Sequence, residues 1–421
     1  MRLTTTICLL AASLDAGVAC ARQEIITRKN PREWTIQYRL TLRSYQERHI
    51  RRDQRRMPEI DYWNWDKMTM VAPVLRESAG HRLASNDAAT IKVRVDDFDA
   101  PLSAQPQIKS GEHSGAQYML IGVDSARNVR SVTLEMEIPI TSWEVEYNEQ
   151  LASQMDWPEQ WPLEARSTFD PQMWIDMTPD GPVDWTSIDN ALNTWTAGKA
   201  PRTVKPAVLA KSLAGEVLKS FQPSGAGVNT SRTGEIEGFE LNPIDEAARR
   251  GRGSPFDMVN LLAGVYRRAG LPARTVVGIR IEQEERGVFR TDKDKEEMYA
   301  WVEFALSDGR TVTWVPVDIL EMRRKMARPR DLDQAWPYFG NHNDLEYYMP
   351  FAFHFHPPLA GVQAYGSPGF WGWIVFPERP ERADQAIHFN VITTPRRTNR
   401  PADEVEEEQP ARRDGYPRRR R

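Results

Sequence analysis

The sequence predicts an α+β protein that begins with an antiparallel β-sandwich, continues into a helix packed on an antiparallel sheet, and ends in a β-rich segment. Three observations support this prediction. Apolar and polar residues alternate repeatedly in the first third of the chain, helical spacing follows between residues 205 and 269, and aromatic-rich strands come after residue 350. A chain of 421 residues with 40% hydrophobic content can fill roughly two or three such cores.

The charge of the chain is nearly balanced. Its formal net charge is −4, from 55 Lys and Arg residues and 59 Asp and Glu residues. Such a balance gives no global positive field to attract nucleic acid or acidic membranes, so we expect no nucleic-acid partner. Beyond the first residues, no apolar run approaches the roughly 20 residues that span a bilayer, and we expect the body of the chain to be soluble.

Residues 1–21 resemble a secretory signal peptide. This segment has a lone Arg2, an apolar run over residues 7–14, and small residues at Ala19 and Ala21. We therefore predict export to the periplasm or the extracellular space.

Both cysteines of the chain, Cys8 and Cys20, belong to this segment. Cleavage after Ala21 would leave no thiol for a disulfide, a zinc–thiolate site or a cysteine nucleophile. Alternatively, Cys20 becomes the lipidated first residue of a lipoprotein, and the chain then meets a membrane through that lipid.

Residues 30–147 are predicted to form the β-sandwich, because short alternating segments separated by polar stretches are typical of antiparallel sheets. The apolar stripes are Trp34 to Leu42, Ile91 to Val95, Tyr118 to Val123, and Val132 to Ile140. Residues 148–202, rich in Trp and Pro, have no sustained period and are predicted to be an ordered connector that wraps against the domains.

Residues 203–325 are predicted to form an α+β domain. Helical spacing runs over residues 205–221, and a second helix is indicated by Ser254 as N-cap, Pro255 at the first helical position and Asp257 at the capping-box position. Gly270 ends that helix. Strand-like segments follow at Arg274 to Glu282, Tyr299 to Leu306, and Arg310 to Val317, with a hairpin turn at 307–309.

The sequence after residue 325 is predicted to consist of two segments. Residues 326–393 are predicted to be a β-rich C-terminal extension, with strands at Phe351 to Phe355 and Phe370 to Phe376. Residues 394–421 are Pro-, Glu- and Arg-rich and are predicted to be a disordered charged tail.

Three segments together resemble the motifs of the transglutaminase-like superfamily, whose members have a papain-like cysteine-hydrolase fold. The segment 251–279 ends its helix in a match to the family signature, and the family's second and third motifs resemble residues 299–303 and 314–318 in the same order and spacing. The signature positions are Arg267, Gly270, Leu271, Pro272, Ala273 and Arg274. The resemblance implies a transglutaminase-like (papain-like) α+β domain.

The resemblance also locates the family's catalytic triad of cysteine, histidine and aspartate. In the family, a thiolate at a helix N-terminus attacks the substrate, histidine carries the proton, and aspartate orients the histidine. Counting back from Pro272 to Arg274 places Pro255 at the cysteine position, Tyr299 at the histidine position and Asp318 at the aspartate position. Proline has no nucleophilic atom and a phenol is a poor base at neutral pH, so the resemblance implies a degenerate, non-catalytic site.

Two interpretations of the neighbouring residues remain open. Ser254 is either the N-cap of its helix or a substitute nucleophile with an unidentified base. Tyr299 is either a strand residue whose hydroxyl bonds to Asp318 or to backbone, or a proton-transfer group. The candidate lining of a ligand groove is Ser254, Phe256, Tyr299, Trp301 and Trp314.

A metal site is the weakest candidate. His354 and His356 would share one face of a strand and could bind a metal with Glu346 or Asp344, but two histidines do not make a site. We expect no metal and no cofactor.

The function that the resemblance favours is an exported, non-catalytic transglutaminase-like protein that binds protein or peptide ligands, including cell-wall peptides, in the former substrate groove. One alternative is an active hydrolase or acyltransferase that uses a non-cysteine nucleophile such as Ser254. Another is a structural module whose groove is filled by the Trp-rich connector.

Overall fold

The computed structural model describes residues 24–44, 62–85, 89–111, 116–230, 236–281, 298–357, 369–377 and 383–393. The predicted signal peptide with both cysteines and the predicted tail 394–421 lie outside the described residues.

The described residues form strands and helices in the following order. The strands are β1 (Ile26–Ser44), β2 (Trp63–Pro73), β3 (Glu77–Ser78), β4 (His81–Leu83), β5 (Thr90–Val95), β6 (Phe98–Asp99), β7 (Ile108–Ser110), β8 (Gln117–Val129), β9 (Ser131–Tyr147), β10 (Met177–Thr178), β11 (Gly181–Pro182), β12 (Gln222–Pro223), β13 (Val228–Thr230), β14 (Ile236–Phe239), β15 (Arg252–Gly253), β16 (Ala273–Arg280), β17 (Met298–Ser307), β18 (Val312–Val317), β19 (Tyr348–Phe353), β20 (Gly372–Phe376) and β21 (Ala383–Thr393). The α-helices are α1 (Glu149–Gln154), α2 (Leu163–Arg166), α3 (Thr186–Trp195), α4 (Pro206–Ser220), α5 (Ile244–Arg250), α6 (Pro255–Arg268) and α7 (Ile319–Lys325). Short 3₁₀ helices lie at Ser167–Phe169, Pro201–Thr203 and Leu345–Tyr347.

Two antiparallel sheets form the predicted sandwich. In the described part of the chain the larger sheet has nine strands, with the path β13-β14-β21-β1-β9-β4-β3 and with β5 and β6 attached through β9; the smaller sheet has the order β20-β2-β8-β7. Alternate residues of β1, from Trp34 to Leu42, are buried and share one hydrophobic core with residues of β2, β8 and β9. The alternation seen in the sequence thus places one face of each strand in this core.

A third sheet and helix α6 make up the α+β part. The order of this sheet is β18-β17-β16-β19, and every pair in it is antiparallel. Helix α6 is buried along most of its length, and its Tyr266 ring meets Phe304 of β17 at 5.7 Å between ring centroids. The α+β fold class predicted from the sequence is confirmed.

The segment predicted to be a C-terminal extension is divided among the three sheets. Strand β19 pairs with β16, β20 pairs with β2, and β21 lies between β1 and β14. Residues 326–393 therefore do not form a unit of their own, which corrects the predicted division. The physical reason is that edge strands leave backbone donors and acceptors unpaired, and these late strands cover three such edges.

The Trp- and Pro-rich segment, residues 148–202, contacts the α+β part through ion pairs and a hydrogen bond. Asp189 on α3 forms a bidentate ion pair with Arg268, with both oxygens 2.6 Å from guanidinium nitrogens. Asp176 lies 2.8 Å from Arg267, and Glu164 accepts a hydrogen bond from the Trp314 indole at 2.7 Å. Among the described residues, no helix is long and apolar enough to cross a membrane.

Candidate functional site

Helix α6 begins with the capping box that the sequence predicts. The Ser254 hydroxyl accepts a hydrogen bond from the Asp257 backbone N–H at 3.1 Å, and the Asp257 carboxylate accepts one from the Ser254 N–H at 2.8 Å. The same carboxylate accepts the backbone N–H of Asn242 at 2.8 Å and its side-chain amide at 2.7 Å. Burial nevertheless raises the pKa of Asp257. Ser254 therefore acts as a helix cap, and Pro255 occupies the first helical position.

Asp318 connects Tyr299, at the histidine position of the triad, to the first turn of α7. The Tyr299 hydroxyl donates to Asp318 Oδ1 at 2.8 Å, which is one of the two interpretations left open by the sequence. The same oxygen accepts the Glu321 backbone N–H at 3.0 Å and caps α7. Burial, reinforced by the Asp318 charge, raises the pKa of Tyr299 well above its usual value. The phenol therefore stays protonated at neutral pH and serves as a hydrogen-bond donor.

His342 is a neighbour of Asp318 that the sequence analysis missed. Its Nε2 lies 3.2 Å from Asp318 Oδ2, and the side chain is 1% exposed. The backbone of His342 forms a β-bridge with Val145 of the sandwich strand β9. No family motif covers this position, and its approach to Asp318 depends on the course of residues 338–342, so the sequence offered no signal for it.

Residues of the second and third motif segments pack around Arg274 of the first segment, together with Phe353 of β19. This buried set is here called the Arg274 cluster: Arg274, Trp301, Glu303, Trp314 and Phe353. Arg274 donates twice to Glu303 Oε2, at 2.9 and 2.7 Å, and its guanidinium lies 3.8 Å from the Trp314 ring centroid and 4.0 Å from that of Phe353. The other Glu303 oxygen accepts the backbone N–H of Ala79, from the β3–β4 turn, at 2.8 Å. The cluster therefore joins the transglutaminase-like sheet to the sandwich.

The predicted groove does not form as an open surface. Its five candidate residues are all buried, with exposed fractions of 5% for Ser254, 2% for Phe256, 8% for Tyr299, 0% for Trp301 and 9% for Trp314. The Phe256 ring packs against those of Phe239 and Phe355, with centroids 5.6 and 5.0 Å away. These aromatic side chains pack in the core. Trp314 also lines a cavity of 490 Å³ on the outer side of β18.

The predicted metal ligands do not come together as a site. The part of the chain that the structure describes contains no group of three or more His, Cys, Asp or Glu side chains able to hold a metal ion. Asp344 instead accepts the Tyr338 hydroxyl at 3.1 Å, and Glu346 lies 3.7 Å from the Arg32 guanidinium.

Comparison with known families agrees with the motifs. Residues 227–319 match the profile of the Transglutaminase-like superfamily. The chain therefore contains a transglutaminase-like domain. A comparison with curated protein sequences gave no match.

Solved structures give more distant similarities. A candidate cysteine protease from Cytophaga hutchinsonii has 9% sequence identity and a TM-score of 0.47, over 87% of this chain and 92% of that one. The periplasmic domain of TgpA from Pseudomonas aeruginosa has 16% identity and a TM-score of 0.28, over 72% of this chain and 92% of that one. Both TM-scores lie below 0.5, so the domain assignment rests on the profile match to residues 227–319.

Proposed function

We propose that this protein is an exported, non-catalytic transglutaminase-like protein that binds a protein or peptide ligand. The observation that carries the proposal is Pro255 at the first position of α6, where the superfamily has its nucleophilic cysteine. A proline there suits the helix, because its missing N–H would be unpaired in any case, but it has no atom that can attack a carbonyl.

The base position supports the same proposal. A histidine at this place would cycle between neutral and protonated forms near neutral pH, whereas the Tyr299 phenol is locked as a donor to Asp318. The imidazole that Asp318 does contact belongs to His342, a residue outside the family motifs whose backbone is bridged to Val145 of the sandwich. The cysteine and histidine positions of the triad thus hold a proline and a phenol that donates to Asp318.

The enzyme alternative needs a serine with a base, and the structure favours a different serine from Ser254. Ser78 has an imidazole partner: its hydroxyl lies 2.8 Å from His81 Nδ1, and His81 Nε2 lies 3.0 Å from the Leu345 carbonyl oxygen. However, both side chains are 1% exposed, and burial lowers the pKa of His81 to about 3. So weak a base is poorly matched to proton abstraction at neutral pH, and the pair suits a structural link better.

The structural-module alternative has one favourable observation. Trp161 of the connector packs in a cluster with Ala79, Ala305 and Trp314, so connector, sandwich and transglutaminase-like sheet meet at one place. Complete protection of residues 148–202 in limited proteolysis, with no ligand recovered by pull-down, would favour this alternative over a binding protein.

Export is supported by the composition of residues 1–21 alone. If the protein is processed as proposed, mass spectrometry of the cell-envelope or culture fraction will find a chain that starts at residue 22. A lipidated start at Cys20 would instead shift the protein into the membrane fraction.

Turnover assays test the non-catalytic claim. Amide hydrolysis and amine incorporation would be measured on mixed protein and peptidoglycan substrates with residues 22–421 as wild type, Ser254→Ala and Ser78→Ala. The proposal expects no turnover from any of the three. Turnover that disappears in one serine variant alone would identify a working nucleophile and overturn the proposal.

A further inference from the structure

A cavity of 490 Å³ lies where the transglutaminase-like sheet meets the sandwich and the connector. One wall is the start of strand β18, residues 312–314. The opposite walls come from the first residues of β1, including Thr27 and Arg28, and from the β3–β4 turn at Ser78 and Ala79. This cavity is on a different part of the domain from the degenerate triad, because the triad's Asp318 follows the opposite end of β18.

Strand β18 is an edge strand, and its pairing shows which backbone groups face outward. The Ala305 N–H of β17 donates to the Pro272 carbonyl on the far side, at 2.9 Å. In an antiparallel ladder, Ala305 and its partner Trp314 then form a non-hydrogen-bonded pair. The N–H and C=O groups of Trp314, and of Val312 two residues earlier, therefore point away from β17.

The rest of this edge is already covered. The Gly340 N–H donates to the Pro316 carbonyl at 2.8 Å, and the Asp318 N–H donates to the Tyr338 carbonyl at 3.0 Å. Beyond residue 340 the chain turns away to β9. The backbone edge of residues 312–314 thus has no neighbouring strand among the described residues, and it opens into the cavity.

The lining of the cavity has an excess of negative charge. Three carboxylates, from Glu24, Glu77 and Glu164, face one guanidinium, from Arg28. Glu77 pairs with Arg28 at 2.9 Å and, outside the lining, with Arg82 at 2.8 Å. Glu24 and Glu164 lie in the same lining, where Arg28 is the one basic residue. Glu164 accepts the neutral indole N–H of Trp314 at 2.7 Å, and the Arg274 guanidinium behind that indole is paired with Glu303. A ligand with a positive charge would complement this surface.

We propose that an extended peptide carrying a lysine or arginine adds to the edge of β18 in this cavity. The peptide backbone pairs with Val312 and Trp314, and the basic side chain lies against Glu24 and Glu164. This is strand addition, in which main-chain hydrogen bonds supply affinity and side-chain pockets supply specificity. The inference rests on the proposed function and assigns the place and the chemical class of its ligand.

The test uses two nine-residue synthetic peptides of alternating Val and Thr, labelled with fluorescein, with Lys or Glu at the centre. A third probe is the Lys peptide with N-methyl groups on every internal amide, which has no N–H group left on either edge to pair with a strand. Binding is measured by fluorescence anisotropy to the purified protein and to two variants.

Val312→Pro removes an outward N–H and leaves the β17 ladder intact, as Pro316 does on the same strand. The double variant Glu24→Gln/Glu164→Gln removes charge, and its matched control is Glu216→Gln/Glu246→Gln on surface helices.

We expect the Lys peptide to bind and the Glu and N-methylated peptides not to bind. Val312→Pro should weaken binding about tenfold, because it removes one hydrogen bond at the edge and its ring crowds the bound peptide. The Glu24/Glu164 variant should weaken it about threefold at low salt and less at high salt, while the Glu216/Glu246 control should leave it unchanged. Circular dichroism of Val312→Pro checks its fold, and the N-methylated peptide tests the edge without any protein variant.

Three outcomes would overturn the inference. Equal binding of the Lys peptide to Val312→Pro and wild type would place peptide binding elsewhere and leave the proposed function standing. No binding of any peptide would reject this site, while the turnover assays decide the non-catalytic claim separately. A dimer seen by sedimentation that Val312→Pro dissociates, with no peptide bound, would identify a second copy of the chain as the occupant.

Discussion

Two regions of the transglutaminase-like domain differ in how many residues of the family motifs they keep. One is the Arg274 cluster, and the other is the set of triad positions Pro255, Tyr299 and Asp318. The cluster keeps the signature arginine and the glutamate and tryptophan of the second motif, and all of these are buried in mutual contact. The triad keeps only its aspartate. The difference separates two roles of the family motifs: a structural role that joins the sheet to the sandwich, and a chemical role that our proposal takes to be lost in this chain.

The largest effect is expected from breaking the Arg274 cluster. Glu303→Gln leaves the Arg274 guanidinium buried without a counter-charge, and we expect a loss of about 3–5 kcal/mol in the free energy of unfolding. Urea denaturation followed by tryptophan fluorescence measures it. The matched control is Asp189→Asn, which breaks the Arg268 ion pair whose side chains are each 44% exposed, and which should cost below about 1 kcal/mol. Similar losses of unfolding free energy in both variants would show that the cluster stabilises the fold no more than an exposed ion pair does.

The next largest effect is expected at the start of α6. Asp257→Ala leaves the N–H donors of Ser254 and Asn242 without their acceptor. It should lower the free energy of unfolding by about 2–3 kcal/mol. Ser254→Ala removes only the side-chain cap and should cost about 1 kcal/mol. Thermal and urea unfolding of both variants measure the difference. A larger loss for Ser254→Ala than for Asp257→Ala would contradict the capping interpretation.

A pH-dependent effect is expected at Glu346, in the segment that brings His342 to Asp318. Burial raises the pKa of Glu346 to about 7 from its ordinary value of 4.5. A carboxyl with a raised pKa binds a proton on folding, so its contribution to stability falls as the pH rises between about 4.5 and 7. Glu346→Gln should therefore be more stable than wild type by about 1 kcal/mol at pH 8 and about equal at pH 5, by urea denaturation at both pH values. A variant that is less stable than wild type at pH 8 would reverse the sign and refute the prediction.

The smallest effect is expected at the histidine position of the triad. Tyr299→Phe removes one hydrogen bond to Asp318, which keeps the Glu321 N–H on the same oxygen, and it should cost about 1 kcal/mol. Ligand binding should be unchanged, because the phenol is 8% exposed and lies away from the cavity beside β18. A loss of peptide affinity in Tyr299→Phe with unaltered stability would move the binding site back to the triad.

Local sequence signals predicted the parts of the fold that depend on local interactions. The cap, first proline and end of α6 could be identified because capping is decided within a few residues, and the β17–β18 hairpin because its turn at 307–309 is short. The stripes of β1 and β9 followed from a period of two. These elements needed no knowledge of the rest of the chain.

Long-range pairing could not be predicted in the same way. Strand β21 joins β1 across 339 to 359 positions of the sequence, from Ala383 opposite Ser44 to Thr393 opposite Trp34, and nothing local specifies that partner. The same holds for His342 at Asp318 and for the burial of Phe256 by Phe239 and Phe355. The residues at the triad positions follow from the register of the motifs, whereas the shape of the surface around them depends on these distant contacts.

The most direct measurement of the central claim is intact-protein mass spectrometry after incubation with a fluorophosphonate and, separately, with iodoacetamide. A protein without a working nucleophile in this site, processed after Ala21, gains no mass from either probe. A single stoichiometric adduct on Ser254 or Ser78, abolished by the corresponding serine-to-alanine change, would contradict the account and make this protein an enzyme.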